Sequence, residues 1–333
     1  MSDESSIKVA LLGFGTVGSG VYEVIESRQN QLRHLVGHPI EVVAVLVDDI
    51  SKERKMGSHV FVTDDFQEIL ALPDLDVVVE AIVGVEPAYT YLSHAIDQGL
   101  HVVTANKELF AHKGFELQKR AKDQGVELKF EATVAGGVPI IGALTKLLQV
   151  NQVLKIEAIL NGTSNYILTK MREEQISLEK ALTEAQALGY AEANPTNDIE
   201  GYDALYKIMI LTELLTGRKV NQNYVRCAGI STISTDDINQ ANLRHERIKH
   251  VGVIEISGEK VFSEVSLLTV SESHKLYSVE GVDNAVLVTG DLIGELVFQG
   301  PGAGKYPTAS VMVEDLVDIY NPVSKSIKLV TEK

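Results

Sequence analysis

The 333-residue sequence predicts an α/β protein: a doubly wound parallel sheet followed by a smaller α+β domain. Two observations carry this expectation. Apolar strands alternate with helical stretches from Ile7 to about residue 150, and a glycine-rich turn joins the first strand to the first helix. From about Val153 that alternation gives way to a strand–turn–helix, two helices and long alternating strand segments.

The first element is the apolar run Ile7 to Leu12. Gly13, Gly15 and Gly18 then spell G-x-G-x-x-G, enclosing Thr16 and Val17, and a helical pattern follows. Between a strand and a helix this spacing is a strong dinucleotide-binding signal. The first glycine permits the tight turn, the second lets backbone approach a pyrophosphate at the helix N-terminus, and the third allows close helix–strand packing. The expected domain is therefore of the Rossmann type. Further strands follow in "IEVVAVLVDD", "LDVVVEAIVG", "HVVTANKEL" and "VELKFEATVAGGVPI", with helices such as "AYTYLSHAIDQG" between them. Ligands of such sheets bind beyond the strand C-terminal ends. That directs attention to the glycine loop, Asp48, Ile82 and Val83 before Gly84, Thr104 to Lys107, and Glu131 onward.

Lys107 follows a strand end in "TANK", a position that favours the ligand cleft over an ordinary surface lysine. Glu131 precedes a loop of glycines and small residues. Two readings stay open there: a loop carboxylate held by backbone amides, or a carboxylate beside accessible carbonyls that suits a hard cation such as Na⁺ or K⁺.

The bulk numbers bound the function. With 45% hydrophobic and 23% charged residues the chain is ordinary globular material, long enough for two domains. A net charge of −16 argues against a general nucleic-acid or anionic-membrane binder. No apolar run approaches a membrane span, and the start, Met1 to Ser6, is polar without a signal-peptide pattern. A single cysteine, Cys227, excludes an internal disulfide framework and a multi-cysteine metal site. Cytoplasmic residence is expected. The expected domains are residues 1–150, with 305–333 returning to them, and 151–304.

The second half holds a puzzle. "GYDALYKIMILTELL" is apolar on almost every face, yet Asp203 and Lys207 stand four residues apart. An i,i+4 pair on a solvent edge is worth only a few tenths of a kcal/mol. The other reading is a cleft, where a buried lysine and aspartate must pair and chemistry needs shifted pKa values. Upstream, Glu192 and Asp198 lie in a polar loop between Gly189 and this helix. Carboxylates beside a lysine suit a small zwitterionic substrate, with acids for an ammonium and the lysine near a hydroxyl or carbonyl.

The stretch Ala185, Gly189, Tyr190, Ala191, Asn194, Pro195, Asp198, Gly201, Asp203, Lys207 resembles the signature of the homoserine dehydrogenase family. The glycine loop, "HVVTANKEL", "EATVAGGVPI", "LNGTSNYIL", "GVDNAVLVTGD" and "GPGAGKYPTASVMVEDL" resemble the same family in the same order. The resemblance implies interconversion of L-homoserine and L-aspartate 4-semialdehyde with NAD or NADP, on the route to threonine and methionine. It implies Lys207 as general acid/base, Asp203 as its orienting partner, and Glu192 and Asp198 as the residues holding the amino acid. Tyr190 and the turn Gly162–Thr163 would lie alongside, and Lys107 at the cofactor–substrate junction. It further implies a monovalent cation at Glu131 with the carbonyls of Val134, Gly136 and Val138. A turn near Gly304 would bring the chain back to the nucleotide domain, and the second domain would pair two subunits in a homodimer.

The chemistry is consistent with this assignment. Oxidising an alcohol requires a base within hydrogen-bond reach, about 2.6–3.2 Å, with a pKa near the working pH. A lysine meets that need only when burial or a second cation lowers its pKa, which makes a positional role for Asp203 the natural one.

The sequence also departs from the family. Asp48 stands where many relatives carry arginine, which favours NAD over NADP, because an acid accepts from ribose hydroxyls and repels a 2′-phosphate. Lys275 replaces a usual proline, and Arg244 and His245 stand near a usual glycine. The sequence ends at Lys333, before the regulatory domain of many relatives, so threonine feedback through such a domain is not expected. Two alternatives remain: a non-catalytic nucleotide sensor, and a semialdehyde dehydrogenase using Cys227 as nucleophile.

Overall fold

The computed structural model describes residues 5–321 and divides into two compact units. One runs to Thr133 and takes up the chain again from Gly304; the other is Val134–Ala303.

In the first unit, β1 (Ile7–Leu12) leads through α1 (Thr16–Ser27) and α2 (Gln29–Val36) to β2 (Ile40–Leu46). Then come β3 (Phe61–Thr63), α3 (Phe66–Leu70), β4 (Val77–Glu80), α4 (Ala88–Asp97), β5 (His101–Thr104), α5 (Lys107–Gln124) and β6 (Leu128–Lys129). The sheet order is β3-β2-β1-β4-β5-β6, and every pairing is parallel. The order reverses at β1, so a crevice opens between the ends of β1 and β4, where such sheets take ligands. The strands read as continuous apolar runs because both faces are covered. Val9 and Leu11 enter one core with Val42, Val45 and Val79, while Ala10 and Leu12 enter the other with Ala44, Leu46 and Val78. Each such Val or Leu contributes roughly 1.5–3 kcal/mol by burial.

The expected boundary at residue 150 is corrected to Thr133/Val134. "VELKFEATVAGGVPI" is not one long strand: only Leu128 and Lys129 pair, and Glu131–Thr133 is a 3-10 turn. The strand β3 was not anticipated, since three residues are too few to show alternation.

The second unit begins with α6 (Ile140–Leu147), which turns Ile140, Ile141 and Leu144 inward. Next come β7 (Val153–Ile159), α7 (Gly162–Glu174), α8 (Leu178–Ala187), α9 (Thr196–Ile199) and α10 (Tyr202–Thr216). These are followed by β8 (Arg226–Cys227), α11 (Thr235–Leu243), β9 (Glu246–Ser257), β10 (Lys260–Ser271), β11 (Asp283–Gly290) and β12 (Gly294–Pro301). The mixed sheet is ordered β12-β11-β7-β9-β10-β8. The hairpins β9–β10 and β11–β12 are the two alternating segments expected from the sequence. α10 packs against β9 and β10, burying Ala204, Leu205, Ile208, Met209, Ile210 and Leu211.

His245 has φ +57, the left-handed region that favours glycine. From Gly304 the chain rejoins the first unit as α12 (Lys305–Tyr320), which supplies Ala309, Met312, Val313 and Leu316 to the first core. Residues 322–333 of the expected returning segment lie outside the described residues.

Candidate active site

In the first unit the glycine turn has the shape a dinucleotide requires. Gly13 has φ +95, and a Cβ on Gly18 would stand 2.1 Å from the Gly13 carbonyl oxygen, so only glycine lets α1 start this close to β1. A Cβ on Gly15 would meet nothing within 4 Å. Gly15 is the N-cap of α1 and offers no side-chain cap, and Thr16 beside it is exposed. The N-terminal amides of α1 thus face outward at a helix N-terminus, a site that favours phosphate.

The end of β2 lies beside this turn, for Gly13 donates its amide to the Leu46 carbonyl at 3.0 Å. Asp48 follows two residues later and is exposed. The long spacing from the glycine loop is explained by α2, an extra helix in the connection. Neighbouring charges are partly engaged: Lys52 lies 3.7 Å from Asp49, and Arg54 donates to the Lys52 carbonyl.

The ends of β4 and β5 are tied together by a residue the sequence reading overlooked. Glu80 is fully buried. Its carboxyl accepts from the Thr104 hydroxyl at 2.5 Å, from the Ile82 amide at 2.6 Å and from the Asn106 side chain at 3.4 Å. Asn106 also donates to the Gly84 carbonyl at 2.7 Å and caps α5 by accepting from the Leu109 amide. Burial pushes the Glu80 carboxyl up to about 7, against the three hydrogen bonds that favour its charge. The result is a braced shelf: Ile82, Val83 (92% exposed) and Gly84 on one strand end, Thr104 and the exposed Lys107 on the next.

Glu131 opens the 3-10 turn, and its amide donates to Asp315 of α12 at 2.9 Å. Burial pushes the Asp315 carboxyl up to about 7. Gly304 has φ +135 and is the N-cap of α12. In the second unit Val134, Gly136 and Val138 are buried, and the Val138 carbonyl accepts from the Ile140 amide at 2.8 Å. The proposed cation ligands are all oxygens, the chemistry a hard cation requires.

The second unit resolves the charged pair on the apolar helix. Lys207 is 7% exposed and Asp203 3%, so the solvent-edge reading fails. Lys207 Nζ donates to Asp203 Oδ2 at 2.7 Å and to the Leu160 carbonyl at 2.5 Å. That carbonyl also accepts from Asn284 Nδ2 at 3.0 Å. β7 ends just before Leu160, so a strand end, a turn and α10 converge on Lys207 Nζ.

Asn161, a second residue the sequence reading missed, ties the acids to this centre. Its Nδ2 donates to Asp198 Oδ1 at 2.6 Å and to Asp203 Oδ2 at 3.0 Å, while its Oδ1 accepts from the Ser164 amide and caps α7. Gly162 and Thr163 are the first residues of α7, and the Thr163 hydroxyl donates to the Tyr190 carbonyl at 2.7 Å. A Cβ on Gly162 would lie 2.6 Å from the Val282 carbonyl. The Tyr190 ring is tilted against Tyr166 at 5.0 Å. Glu192 is exposed on the same loop, and its carbonyl accepts from Gln186.

Behind the cluster stands His250, 3% exposed. The Ala228 carbonyl can only accept, so Nε2 carries the hydrogen at 3.0 Å and Nδ1 faces the Ser164 hydroxyl at 3.3 Å. Burial pushes the imidazole down, which keeps it neutral. Cys227 is half-buried at the sheet edge, and burial raises its thiol, the opposite of what a nucleophile needs.

The family model "Homoserine dehydrogenase" matches residues 139–317, and "Homoserine dehydrogenase, NAD binding domain" matches residues 13–131. The chain belongs to the homoserine dehydrogenase family. A homoserine dehydrogenase of Bacillus subtilis is 42% identical over 315 residues, 94% of this chain and 73% of that protein. The crystal structure of a homoserine dehydrogenase from Thiobacillus denitrificans superposes with a TM-score of 0.92 at 39% identity, covering 96% of this chain and 74% of that one. A hyperthermophilic archaeal homoserine dehydrogenase in complex with NADPH gives a TM-score of 0.79 at 28% identity, over 95% and 98% of the two chains. The chain is accordingly a nicotinamide-dependent oxidoreductase of amino-acid biosynthesis. Among the described residues no helix is long and apolar enough to cross a membrane.

Proposed function

We propose that Lys207 is the general acid/base for the interconversion of L-homoserine and L-aspartate 4-semialdehyde. The observation that carries this reading is the buried Lys207–Asp203 pair, anchored to the Leu160 carbonyl within the stretch matched to the family. In the oxidising direction Lys207 Nζ takes the hydroxyl proton of homoserine as the adjoining carbon gives up hydride. In the reducing direction it returns the proton to the forming alkoxide. A nicotinamide held at the glycine loop would accept or supply the hydride. Asp203 holds the amine in place. Asp198 and Glu192 offer carboxylates to the substrate ammonium, with Tyr190, Gly162 and Thr163 at its side. Lys107 serves at the junction of cofactor and substrate.

The cofactor residues are the glycine loop from Gly13 to Gly18, Asp48, Ile82, Val83, Thr104, Lys107 and Gly304. NAD is the preferred cofactor, because Asp48 follows the strand end beside the glycine turn. NADP remains usable, since Lys52 and Arg54 lie close in sequence. Glu131 and the carbonyls of Val134, Gly136 and Val138 would be the oxygens offered to a monovalent cation, Na⁺ or K⁺. The enzyme works in the cytoplasm as a homodimer. Support for pairing comes from exposed apolar residues on the second unit's sheet and its hairpin turn, among them Phe262, Val297, Leu292 and Ile293. The deciding experiment is homoserine-dependent reduction of NAD and of NADP by the purified protein. Reduction with either cofactor is expected, and no turnover with both would refute the reading.

A further inference from the structure

We propose that Asn161 is a positioning residue of this reaction: it locks Asp198 and Asp203 into the substrate site by donating one amide hydrogen to each. The inference rests on the reading of Lys207, Asp203 and Asp198 as the substrate centre.

The argument starts from the bonding capacity of the side chain. An asparagine amide has two hydrogens and one carbonyl oxygen. In Asn161 all three functions are spent on different parts of the fold. The oxygen accepts from the Ser164 amide at 2.7 Å and caps α7. One hydrogen goes to Asp198 on α9 at 2.6 Å, the other to Asp203 on α10 at 3.0 Å. One planar group therefore sets the relative position of three helix ends. α9 is a single turn of four residues, with no side-chain cap of its own, so the tie to Asn161 holds Asp198 to the centre.

The bonds also carry electrostatic weight. Two carboxylates gathered around one small group repel each other, and a carboxylate as buried as Asp203 gives up hydration that a donor must replace. A shared donor between them offsets both effects, because a hydrogen bond to the charged form favours it. Asp203 Oδ2 receives Asn161 and Lys207 together. When Lys207 passes its proton to the substrate, the pull on that oxygen weakens. Asn161 then keeps Asp203 from following the lysine or swinging away. Among the charged and titratable groups facing Asp203 are Lys207 on its own helix, Asp198 on α9, and His250 on β9, reached through Ser164. Unlike these three side chains, Asn161 cannot change its charge.

The two roles of Asn161, cap and clamp, separate by substitution. Serine and aspartate are both good N-cap residues, so Asn161→Ser and Asn161→Asp retain the acceptor for Ser164. Asn161→Ser loses both amide N–H donors and keeps one hydroxyl on a shorter side chain, and Asn161→Asp adds a third carboxylate where a donor stood. The readouts are kcat and KM for homoserine, the pH profile of kcat/KM, the dissociation constant for NAD, and Tm, with Lys207→Ala run in parallel.

For Asn161→Ser we expect kcat/KM for homoserine to fall about 10- to 100-fold, the scale for losing hydrogen bonds to charged groups. The acid limb of its pH profile should move to higher pH, because carboxylates without the donor take up protons earlier. NAD affinity and Tm should stay close to those of the parent. For Asn161→Asp the loss should be larger still. Unchanged kinetics and an unmoved acid limb in Asn161→Ser would overturn the proposal. So would a joint collapse of Tm and NAD binding in both variants, since Asn161 would then be holding the fold alone. Near-normal turnover of Lys207→Ala would instead sink the reading on which the proposal rests, whatever the Asn161 variants do.

Discussion

Replacing Glu80 by glutamine should make the protein more resistant to unfolding as the pH rises. The reasoning begins with a carboxyl whose ordinary value is 4.5 and which burial in the nucleotide-binding unit pushes up to about 7. Below about pH 4.5 the group is protonated in both the folded and the unfolded chain and contributes nothing. Between about 4.5 and 7 the folded protein holds a proton that the unfolded chain has released, so stability falls as pH rises. Above 7 the loss is complete. A difference of this size corresponds to about 3 kcal/mol. A glutamine amide at this position does not titrate. It also changes the bonds to Thr104 and Ile82, but that offset does not depend on pH. Asp315, likewise pushed up to about 7, acts equally in both proteins and cancels. The measurement is urea unfolding from about pH 5 to 8.5, followed by far-ultraviolet circular dichroism because the chain has no tryptophan. The stability of Glu80→Gln relative to the parent should climb by about 2–3 kcal/mol across that range. Parallel curves would mean that Glu80 is ionised in the folded protein at low pH, and that the brace between β4 and β5 is an ordinary carboxylate.

Three further outcomes are expected. Lys207→Ala should lower kcat by roughly 10²- to 10⁴-fold with cofactor binding retained; near-normal turnover in a steady-state assay would rule out its role as acid/base. Glu192→Gln and Asp198→Asn should weaken use of homoserine and leave the dissociation constant for NAD unchanged, and a variant losing NAD affinity instead would move that residue to the cofactor site. Asp48→Arg should swing the ratio of kcat/KM values from NAD toward NADP by roughly 30- to 1000-fold, since it replaces a repulsion by a bidentate phosphate contact. An unchanged ratio would show that Asp48 does not face the ribose.

Much of this structure was legible in the sequence where one residue's chemistry leaves a single conformational answer. Gly13 and Gly18 are such residues, because a side chain on Gly18 would strike the Gly13 carbonyl. So are the strands buried on both faces, whose valines and leucines leave no polar edge to misread. What stayed hidden falls into two kinds. Short elements such as β3 and β6 carry too few residues to display a period, so the strand expected through Glu131 ends at Lys129. Brace residues were hidden for a different reason. Glu80 and Asn161 announce themselves only weakly: one is a lone acid at the end of "VVVE", the other an asparagine before a glycine, ordinary in any turn. Their meaning lies in partners 24 and 37 residues away, Thr104 and Asp198. The charged pair on α10 shows the same division. Its spacing identifies two groups on one face of a helix, but not whether that face meets water or protein. Only the fold brings the Leu160 carbonyl to Lys207, and with it the difference between an exposed ion pair worth a few tenths of a kcal/mol and a buried centre. For this site, then, the chain shows which charged groups share a helix face, while the residues that hold them, Asn161 and the Leu160 carbonyl, emerge only in three dimensions.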